Sequence, residues 1–432
     1  MAPSRRDFVR GAVALAAAGV AVLREDALQR VLAAGAQEGQ RSSGETAGNE
    51  SYWTQIQQAF TIDRSLINLN NGGVCPSPRV VQDAMRRHLE FSNNAPAKTM
   101  WDVLNPEVET ARARLARTFG CGAEEMAITR NASEALEICL LGFDLNPGDE
   151  VLTSELDYPR MIWTCKQREL REGIKLVQVP VPAPADDLAQ YVEAFEKGIT
   201  PKTKLMLVSH VIFLTGQILP VRELCRLGRK HGIPVIVDGA HAFAHIAYKR
   251  DDLECDYYGV SLHKWTSAPH GTGFLSVRKE RIASLWPLMA SAHPQCDDIR
   301  KFEEIGTHPA ANRLAISEAL AFYHGIGAER KEARLRWLRD RWATRLMQDK
   351  RVRLYTRLDA QHSCAISTFG IDGIDHAKLV EHLWKRHRII TVAIQSPTVN
   401  GIRVTPNVYT MPDEIDMFCE AVEEILANGL PA

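Results

Sequence analysis

The run Val235–His241, which reads VIVDGAH, decides the fold class. Its apolar residues are consecutive rather than alternating, a pattern typical of a strand that is buried on both faces of a parallel sheet. A second such run, Leu205–Ser209, precedes it and reads LMLVS. Residues Val221–His231 lie between the two runs and are helical by composition. A strand, a helix and a strand at this spacing predict a parallel crossover in an α/β sheet.

The same alternation of strands and helices extends in both directions from this unit. The further predicted strands are Met126–Thr129, Glu150–Thr153, Lys175–Val179 and Asp256–Val260. The further predicted helices are Asn105–Phe119, Ser133–Leu141 and Pro159–Glu172. We therefore predict an α/β fold whose large domain, residues 61–312, has a mostly parallel sheet sandwiched by helices.

The pattern changes near residue 310 and predicts a smaller C-terminal α+β domain over residues 313–432. Residues 314–350 are mostly helical by composition and rich in arginine. Predicted strands Cys364–Phe369, Ile389–Val392 and Gly401–Val404 then flank a predicted helix, His376–Arg388. The arginines are interspersed with acids, so we interpret them as a solvated helix rather than as a nucleic-acid surface.

Composition excludes several classes of protein. The 432 residues include 52 Lys+Arg and 53 Asp+Glu, a formal net charge of -1, so there is no excess of cations to hold nucleic acid. Hydrophobic residues make up 45% and charged residues 24%, values typical of a globular protein. The nine cysteines include no CxxC pair, which argues against a zinc ribbon or a thioredoxin-like motif. We predict no metal site.

The first 36 residues are predicted to be an export signal. The pair Arg5-Arg6 precedes an apolar run, Gly11–Leu23, and Ala34–Ala36 offers a small-x-small cleavage site. This order resembles a twin-arginine signal, which predicts passage through the export machinery to the periplasm or exterior of a bacterium. Thirteen apolar residues are too few for a stable membrane span. Residues 37–60 are interpreted as a polar linker and N-terminal arm; the alternative for the leader is a disordered basic tail.

Candidate site residues follow the predicted strands. Neither GxxxxGK[ST] nor HExxH occurs, and the segment Gly271–Gly273 lacks the third glycine of a dinucleotide site. Polar residues instead cluster at strand ends, where open α/β sheets bind ligands. These segments are Thr129–Glu134, Asp157–Tyr158, Asp238–His241 and Ser261–Lys264.

Asp238 and Lys264 are the two residues that indicate a chemistry. A carboxylate at the end of a buried strand is costly unless a cation pairs with it. A metal with His241 as second ligand, or simple capping of the next helix, are alternatives for Asp238. Lys264 follows an apolar strand between His263 and Trp265, surroundings that lower an amine pKa and favour Schiff-base chemistry. An acid for a pyridinium nitrogen and a lysine for an aldehyde are what pyridoxal phosphate requires.

The segments VDGAH, residues 237–241, and SLHKW, residues 261–265, carry a family resemblance in their order and spacing. With them the chain resembles the pyridoxal-phosphate enzymes of fold type I, aminotransferase class V. Within that group it is most similar to the isopenicillin N epimerase-like branch, which is related to cysteine desulfurases. The resemblance runs from about Asn68 to Arg403.

The resemblance implies roles in holding pyridoxal 5'-phosphate. Lys264 would form the aldimine, Asp238 would bind the ring nitrogen, and His241 would hydrogen-bond the ring hydroxyl. Tyr158 matches the ring that stacks on the cofactor; a residue at the start of a helix that packs on the core is the alternative. The residues implied around the phosphate are Ala132, Ser133, Ser261 and His263. A phosphate at residues 132–133 agrees with the anion preference of helix N-termini.

The resemblance also implies substrate and subunit contacts. Arg403, in GIRVTP, would grip the α-carboxylate of an amino-acid-like substrate, for which a planar guanidinium suits; an ordinary salt bridge is the alternative. Asn71 lies in the loop Asn70–Gly73, which would close over the substrate. Thr272 matches a segment that reaches the phosphate of a neighbouring subunit, which implies a homodimer with shared active sites.

The resemblance identifies the cofactor better than the reaction. Loss of the Cα proton to Lys264 would give a carbanion (quinonoid) intermediate, from which epimerisation, transamination or elimination can follow. We predict an epimerase-like enzyme or aminotransferase; a carbon–sulfur or other β-lyase is the alternative, and a degenerate secreted binding protein is the non-enzyme alternative. Desulfuration is disfavoured because no cysteine lies between Ile389 and Arg403, and Cys364 falls in a predicted strand. Phe213 replaces an asparagine frequent in desulfurases.

Overall fold

The computed structural model describes residues 28–431 of the chain. Arg5, Arg6 and the apolar run Gly11–Leu23 lie outside this range, so the export signal stays a prediction. None of the helices within residues 28–431 is both long and apolar enough to cross a membrane.

The secondary structure alternates as the sequence predicts. The strands are β1 (Ile67–Asn68), β2 (Met126–Thr129), β3 (Glu150–Ser154), β4 (Lys175–Val179), β5 (Thr203–Ser209), β6 (Val235–Asp238), β7 (Tyr257–Ser261), β8 (Gly273–Val277), β9 (Val352–Leu354), β10 (Ser367–Ile371), β11 (Ile389–Ile390), β12 (Val392–Gln395) and β13 (Asn400–Val404). The helices are α1 (residues 28–37), α2 (Ser43–Ala47), α3 (Glu50–Gln57), α4 (Arg79–Ser92), α5 (Asn105–Phe119), α6 (Ala132–Gly142), α7 (Pro159–Glu172), α8 (Ala189–Gly198), α9 (Val221–Lys230), α10 (Arg250–Leu253), α11 (Lys279–Ile282), α12 (Ala310–Leu314), α13 (Ile316–Ile326), α14 (Ala328–Leu346), α15 (His376–His387) and α16 (Pro412–Asn428).

A seven-stranded sheet forms the centre of the large domain. Its strand order is β2-β8-β7-β6-β5-β3-β4. β8 runs antiparallel to both of its neighbours, whereas the remaining pairs of adjacent strands are parallel. The predicted α/β class with a mostly parallel sheet is therefore confirmed.

Both faces of this sheet are covered, which explains why its strands are continuously apolar. In β5, Leu205 and Leu207 belong to one buried cluster, while Met206 and Val208 belong to another on the opposite face. Helices α6 and α7 contribute to the first cluster, and α5, α8 and α9 contribute to the second. Because successive side chains of a strand point to opposite faces, a strand between two helical layers is apolar throughout.

A second, smaller unit is built on an antiparallel sheet of order β12-β13-β10-β9. Residues of α14, α15 and α16 pack with it in a separate core cluster. β1 pairs in parallel with β11, Ile67 opposite Ile389, and Ile67 and Leu69 join this core. The N-terminal segment at residues 67–69 thus packs on the C-terminal unit, while the predicted domain boundaries stay predictions.

The arginine-rich segment differs from its prediction as a solvated helix. It forms two helices, α13 and α14, separated at Gly327, whose φ of 91° no ordinary side chain favours. Arg334 and Arg339 of α14 are fully buried and form ion pairs with Glu50 and Asp340. The solvated interpretation is therefore wrong for these two arginines, because their charges are matched inside the molecule.

The last residues of the predicted export signal, from residue 28 onward, pack on the body of the protein. In α1, Val31 is fully buried and Ala34 nearly so, and both belong to the main core cluster. The Nη1 atom of Arg330 donates a hydrogen bond to the carbonyl oxygen of Gly35 at 2.6 Å. The predicted cleavage site, Ala34–Ala36, therefore lies in a packed helix, and its cleavage stays a prediction.

Candidate active site

A cavity of about 750 Å³ lies where the carboxyl ends of β5, β6 and β7 meet the N-terminus of α6 and strands β12 and β13. This is the edge at which ligands bind in open α/β sheets. Nine of the eleven predicted site residues line the cavity: Ala132, Ser133, Tyr158, Asp238, His241, Ser261, His263, Lys264 and Arg403.

Lys264 follows β7 and points its amine at His241. The Nζ atom lies 3.0 Å from His241 Nε2. Burial lowers the pKa of Lys264 to about 8; the nearby charge of Asp238 raises it and that of Arg403 lowers it further. Burial and the positive charges of Lys264 and Arg403 hold the pKa of His241 well below its usual value, so its ring is neutral. An uncharged imidazole can accept a hydrogen bond from the amine.

Asp238 ends β6 with its carboxyl group nine-tenths buried. Its Oδ1 atom accepts a hydrogen bond of 2.9 Å from the Ala240 main-chain N–H. Burial raises the pKa of Asp238 to about 6, against the opposing effects of this hydrogen bond and of the Lys264 charge. Among residues 28–431 no cationic side chain is within ion-pair distance of it. The alternative of a metal site is not supported, because residues 28–431 contain no group of three or more side chains that could hold a metal ion.

An anion cradle forms at the N-terminus of α6. The Ala132 N–H donates to Ser261 Oγ at 2.9 Å, which ties the start of the helix to the end of β7. Ser133 and His263 line the cavity beside this bond. Burial lowers the pKa of His263 to about 4, so its ring is neutral. The positive end of the helix dipole and these polar groups favour a phosphate-like ligand here.

Arg403 lies at the other end of the cavity. Its Nη1 donates to the Phe213 carbonyl oxygen at 2.8 Å, and its Nη2 donates to Asn70 Oδ1 at 3.0 Å. Burial lowers the pKa of Arg403 to about 10, which leaves it charged at neutral pH. Both of these partners are neutral, and no carboxylate within residues 28–431 forms an ion pair with Arg403. The guanidinium is therefore held in place with donors left for an anionic ligand.

Tyr158 supplies an aromatic wall immediately before α7. Its ring packs edge-to-face against Phe213, with centroids 5.4 Å apart and an interplanar angle of 83°. The residue is half-buried and lines the cavity. The sequence predicts either stacking on a ligand or packing in the core. The structure agrees with both, because the ring packs against Phe213 and the residue lines the cavity.

Two predicted residues do not reach the cavity. Asn71 is fully buried, and its amide donates to the carbonyl oxygens of Asn68 and Thr405. The prediction of substrate contact by Asn71 is thus not supported by its position; Gly72 and Gly73 line the cavity from the same loop. Thr272 is also fully buried, and its hydroxyl donates a hydrogen bond to the Pro269 carbonyl oxygen. Its predicted contact with a neighbouring subunit stays a prediction.

The sequence places Asp157 in a candidate segment but assigns no role to this acid, which is buried beside the site. Asp157 accepts a hydrogen bond from the Ser209 hydroxyl at 2.5 Å, and Thr153 donates to its other oxygen. Ser209 pairs with Asp238 in the β5–β6 register and lines the cavity. The sequence could have identified Ser209 as a site residue, because it ends the apolar run 205–209 in the same way that Asp238 ends the run 235–238.

No cysteine is among the residues that line the cavity. Cys364 is fully buried, with its thiol 3.5 Å from the His245 carbonyl oxygen, and burial raises its pKa to about 12. It precedes β10 rather than lying in it, since that strand begins at Ser367. The prediction that Cys364 is a core residue is confirmed, although the predicted strand starts three residues too early.

Comparison with known proteins agrees with this geometry. Isopenicillin N epimerase of Streptomyces clavuligerus is 31% identical over 395 residues, which are 86% of this chain and 98% of that protein. A probable cysteine desulfurase of Mycolicibacterium paratuberculosis is 26% identical over 85% of this chain and 56% of its own length. The apo structure of cysteine desulfurase from Thermococcus onnurineus NA1 superposes with a TM-score of 0.77 at 21% identity, covering 87% of this chain and 98% of that one.

The match to a family model settles the class of protein. The model of aminotransferase class-V matches residues 67–399, which include the anion cradle, Asp238 and Lys264. The structural likeness independently shows the fold type I architecture. The chain therefore belongs to the aminotransferase class-V family of pyridoxal 5'-phosphate-dependent enzymes.

Proposed function

We propose that the protein acts at the Cα of an amino acid or amino-acid-like substrate, as an epimerase-like enzyme or an aminotransferase. The observation that carries the proposal is that the Lys264 amine, the Asp238 carboxyl and the Arg403 guanidinium line one cavity. These groups are an amine of lowered pKa, an acid of raised pKa and a cation without an acidic partner among residues 28–431. Such perturbed groups in one cleft are typical of active sites.

The residues of the cavity fit pyridoxal 5'-phosphate. Lys264 would bind its aldehyde, Asp238 its ring nitrogen, and the cradle at Ala132 and Ser133 its phosphate. His241 would contact the ring hydroxyl, and Tyr158 the face of the ring. When bound, the cofactor supplies an electron sink that weakens the Cα–H bond of the substrate.

The protein's own groups then have separate tasks. Arg403 binds the substrate carboxylate and fixes the orientation of Cα, since its guanidinium is itself held by Phe213 and Asn70. Lys264, with its pKa of about 8, takes the Cα proton as a neutral amine. Asp238 would keep the ring nitrogen of the bound cofactor protonated through its buried carboxylate.

The cysteine positions favour this chemistry over desulfuration, which needs a nucleophilic thiol at the substrate. Cys364 is a core residue, and Cys75 is buried with its thiol hydrogen-bonded to the Asn71 carbonyl oxygen at 3.2 Å. Burial raises the pKa of both thiols to about 12, which suppresses the reactive thiolate. A carbon–sulfur or other β-lyase remains the alternative reaction, since it uses the same lysine and acid.

Proton NMR of L-amino acids in deuterated water, with enzyme and cofactor, tests the proposal. We expect the Cα–H signal of a substrate to disappear with wild-type protein but not with Lys264→Ala. Chiral analysis and keto-acid analysis of the products then separate epimerisation from transamination, and a released side-chain fragment identifies a lyase. Tight cofactor binding without exchange of any amino acid would contradict the proposal and favour a binding protein.

We further propose that the enzyme is exported by the twin-arginine route and works as a homodimer with shared active sites. The order of Arg5, Arg6 and the apolar run Gly11–Leu23 supports export. The resemblance of the segment around Thr272 to one that reaches the phosphate of a neighbouring subunit supports the homodimer. Fractionation of cells that carry the double variant Arg5→Lys, Arg6→Lys tests export. Sedimentation of the pure protein tests whether it is a dimer.

A further inference from the structure

An apolar surface lies beside the arginine that would bind the substrate carboxylate. Val392 of β12 is directly opposite Arg403 of β13 in the antiparallel register. Directly opposite residues of paired strands project from the same face of a sheet. Ile394, two residues further along β12, projects from that face as well. Both residues line the cavity together with Arg403.

Phe213 completes this surface from the large domain. Its carbonyl oxygen accepts the hydrogen bond of 2.8 Å from Arg403 Nη1, so its main chain lies at the guanidinium, and the residue lines the cavity. Its ring is further held by the edge-to-face contact with Tyr158. We call Phe213, Val392 and Ile394 the apolar wall. None of these three side chains carries a hydrogen-bonding group.

The acidic groups of the cavity lie on α6 and β6, which do not contribute to the apolar wall. The carboxylate of Glu134 in α6 forms an ion pair of 2.7 Å with Arg130 Nη2, and Glu137 accepts a hydrogen bond from Thr164. Asp238 lies at the end of β6. A polar or charged substituent held against the apolar wall would therefore lose its water without gaining a partner, which is unfavourable.

We propose that the apolar wall selects amino acids whose side chain begins with a hydrocarbon segment, and discriminates against those with a polar group at Cβ or Cγ. The inference rests on the proposed function, because Arg403 must bind the α-carboxylate. With the carboxylate on Arg403 and Cα at Lys264, the first carbons of the side chain lie next to Phe213, Val392 and Ile394.

L-Norvaline and L-homoserine provide the test, since they differ only in a methyl group against a hydroxyl group. We measure the dissociation constant of each by calorimetry on the cofactor-loaded enzyme, and kcat/KM for Cα–H exchange by NMR. Norvaline should bind roughly 10- to 100-fold more tightly, the range in which an apolar pocket rejects a hydroxyl isostere.

Val392→Thr is the informative variant because it exchanges one methyl group of the wall for a hydroxyl with little change of volume. It should reduce the preference for norvaline roughly threefold to tenfold, the effect of one hydrogen bond. Ala393→Ser is the matched control, since Ala393 is the neighbouring residue on β12 and projects from the opposite face. Its ratio of the two dissociation constants should equal that of the wild type.

The outcomes separate the two proposals. Equal dissociation constants for norvaline and homoserine, together with intact exchange, would overturn the role of the apolar wall and leave the proposed function standing. An equal loss of preference in Val392→Thr and Ala393→Ser would also overturn it, because the effect would not be specific to the wall. Failure of every amino acid to bind and exchange would overturn the proposed function itself.

Discussion

The Nε2 atom of His241 lies 3.0 Å from the Nζ atom of Lys264, inside a cavity that both residues line. Burial lowers the pKa of each group, that of Lys264 to about 8 and that of His241 well below its usual value. A neutral imidazole beside an amine that is close to losing its proton is an acceptor that orients the amine without repelling it. This pair thus prepares Lys264 to react with a carbonyl group.

Removal of the imidazole should slow the capture of the cofactor. We expect His241→Ala to reduce the rate at which the apoprotein binds pyridoxal 5'-phosphate by about tenfold, because the amine loses the acceptor that orients it. Stopped-flow absorbance of the mixed apoprotein and cofactor measures this rate. His231→Ala, in an exposed residue at the end of α9, is the control. Equal rates for His241→Ala and wild type would refute the orienting role.

Lys264 should be the lysine that holds the cofactor covalently. Borohydride treatment of loaded protein should fix the cofactor on the peptide that contains Lys264, and mass spectrometry should find no such adduct in Lys264→Ala. Lys331 is an internal control, since burial lowers its pKa to about 8 as well, but its amine donates to the Trp265 carbonyl oxygen and does not line the cavity. An adduct on Lys331 would show that lowered pKa alone, rather than position, selects the lysine.

Much of this site follows from the sequence because its residues lie at strand ends. Strands β4 and β6 and helix α7 have the bounds that the apolar pattern predicts, and parallel strands bring their carboxyl ends to one edge. Asp238 and Lys264 therefore line one cavity although they are 26 positions apart in the sequence. A strand end is a local property of the sequence, so the large-domain side of the cavity was predictable.

The other side of the cavity depends on contacts between distant segments, which no local pattern reveals. Asn70 rather than Asn71 contacts Arg403, because the buried side chain of Asn71 is bonded to Thr405 and Tyr409 of the C-terminal unit. Which of the two adjacent asparagines reaches Arg403 depends on the bridge between Asn70 and Thr405 and on the bonds that bury Asn71. The order of the antiparallel strands that places Val392 opposite Arg403 is likewise a tertiary property.

The burial of Arg334 was unpredictable for a similar reason. An arginine on a helix with acidic neighbours is ordinarily solvated, and its own helix carries nothing that indicates otherwise. Its partner, Glu50, comes from α3, and its Nη1 atom also donates to the Ala47 carbonyl oxygen at 2.9 Å. The N-terminal arm thus supplies the compensation that makes burial of this charge possible.

Asp238 should make the stability of the apoprotein depend on pH. Its pKa of about 6 in the folded chain exceeds its value of about 4 in an unfolded chain. Between these two values the folded state binds more protons, so its stability falls as pH rises, by about 3 kcal/mol at most. Asp238→Asn removes this titration. The variant should therefore gain stability relative to wild type between about pH 4 and about pH 7.

Urea unfolding of both apoproteins across this pH range measures the effect. Glu155→Gln serves as the control, because Glu155 is exposed on the same edge of the sheet. A difference between Asp238→Asn and wild type that does not change with pH would mean that the Asp238 carboxyl is not held in its protonated form.

Arg403 should discriminate between substrates that carry a carboxylate and amines that do not. Arg403→Lys keeps a positive charge but cannot make two parallel hydrogen bonds, and it loses the supports at Phe213 and Asn70. We expect it to weaken binding of an L-amino acid by roughly tenfold to a hundredfold, the value of a charge-assisted pair, while a decarboxylated amine of the same side chain binds as before. Calorimetry on loaded enzyme compares the two ligands. Asn70→Ala should reproduce part of the effect, since Asn70 holds the guanidinium in place. Equal losses of affinity for the amino acid and for the amine would mean that Arg403 supports the structure of the cavity and does not bind the carboxylate.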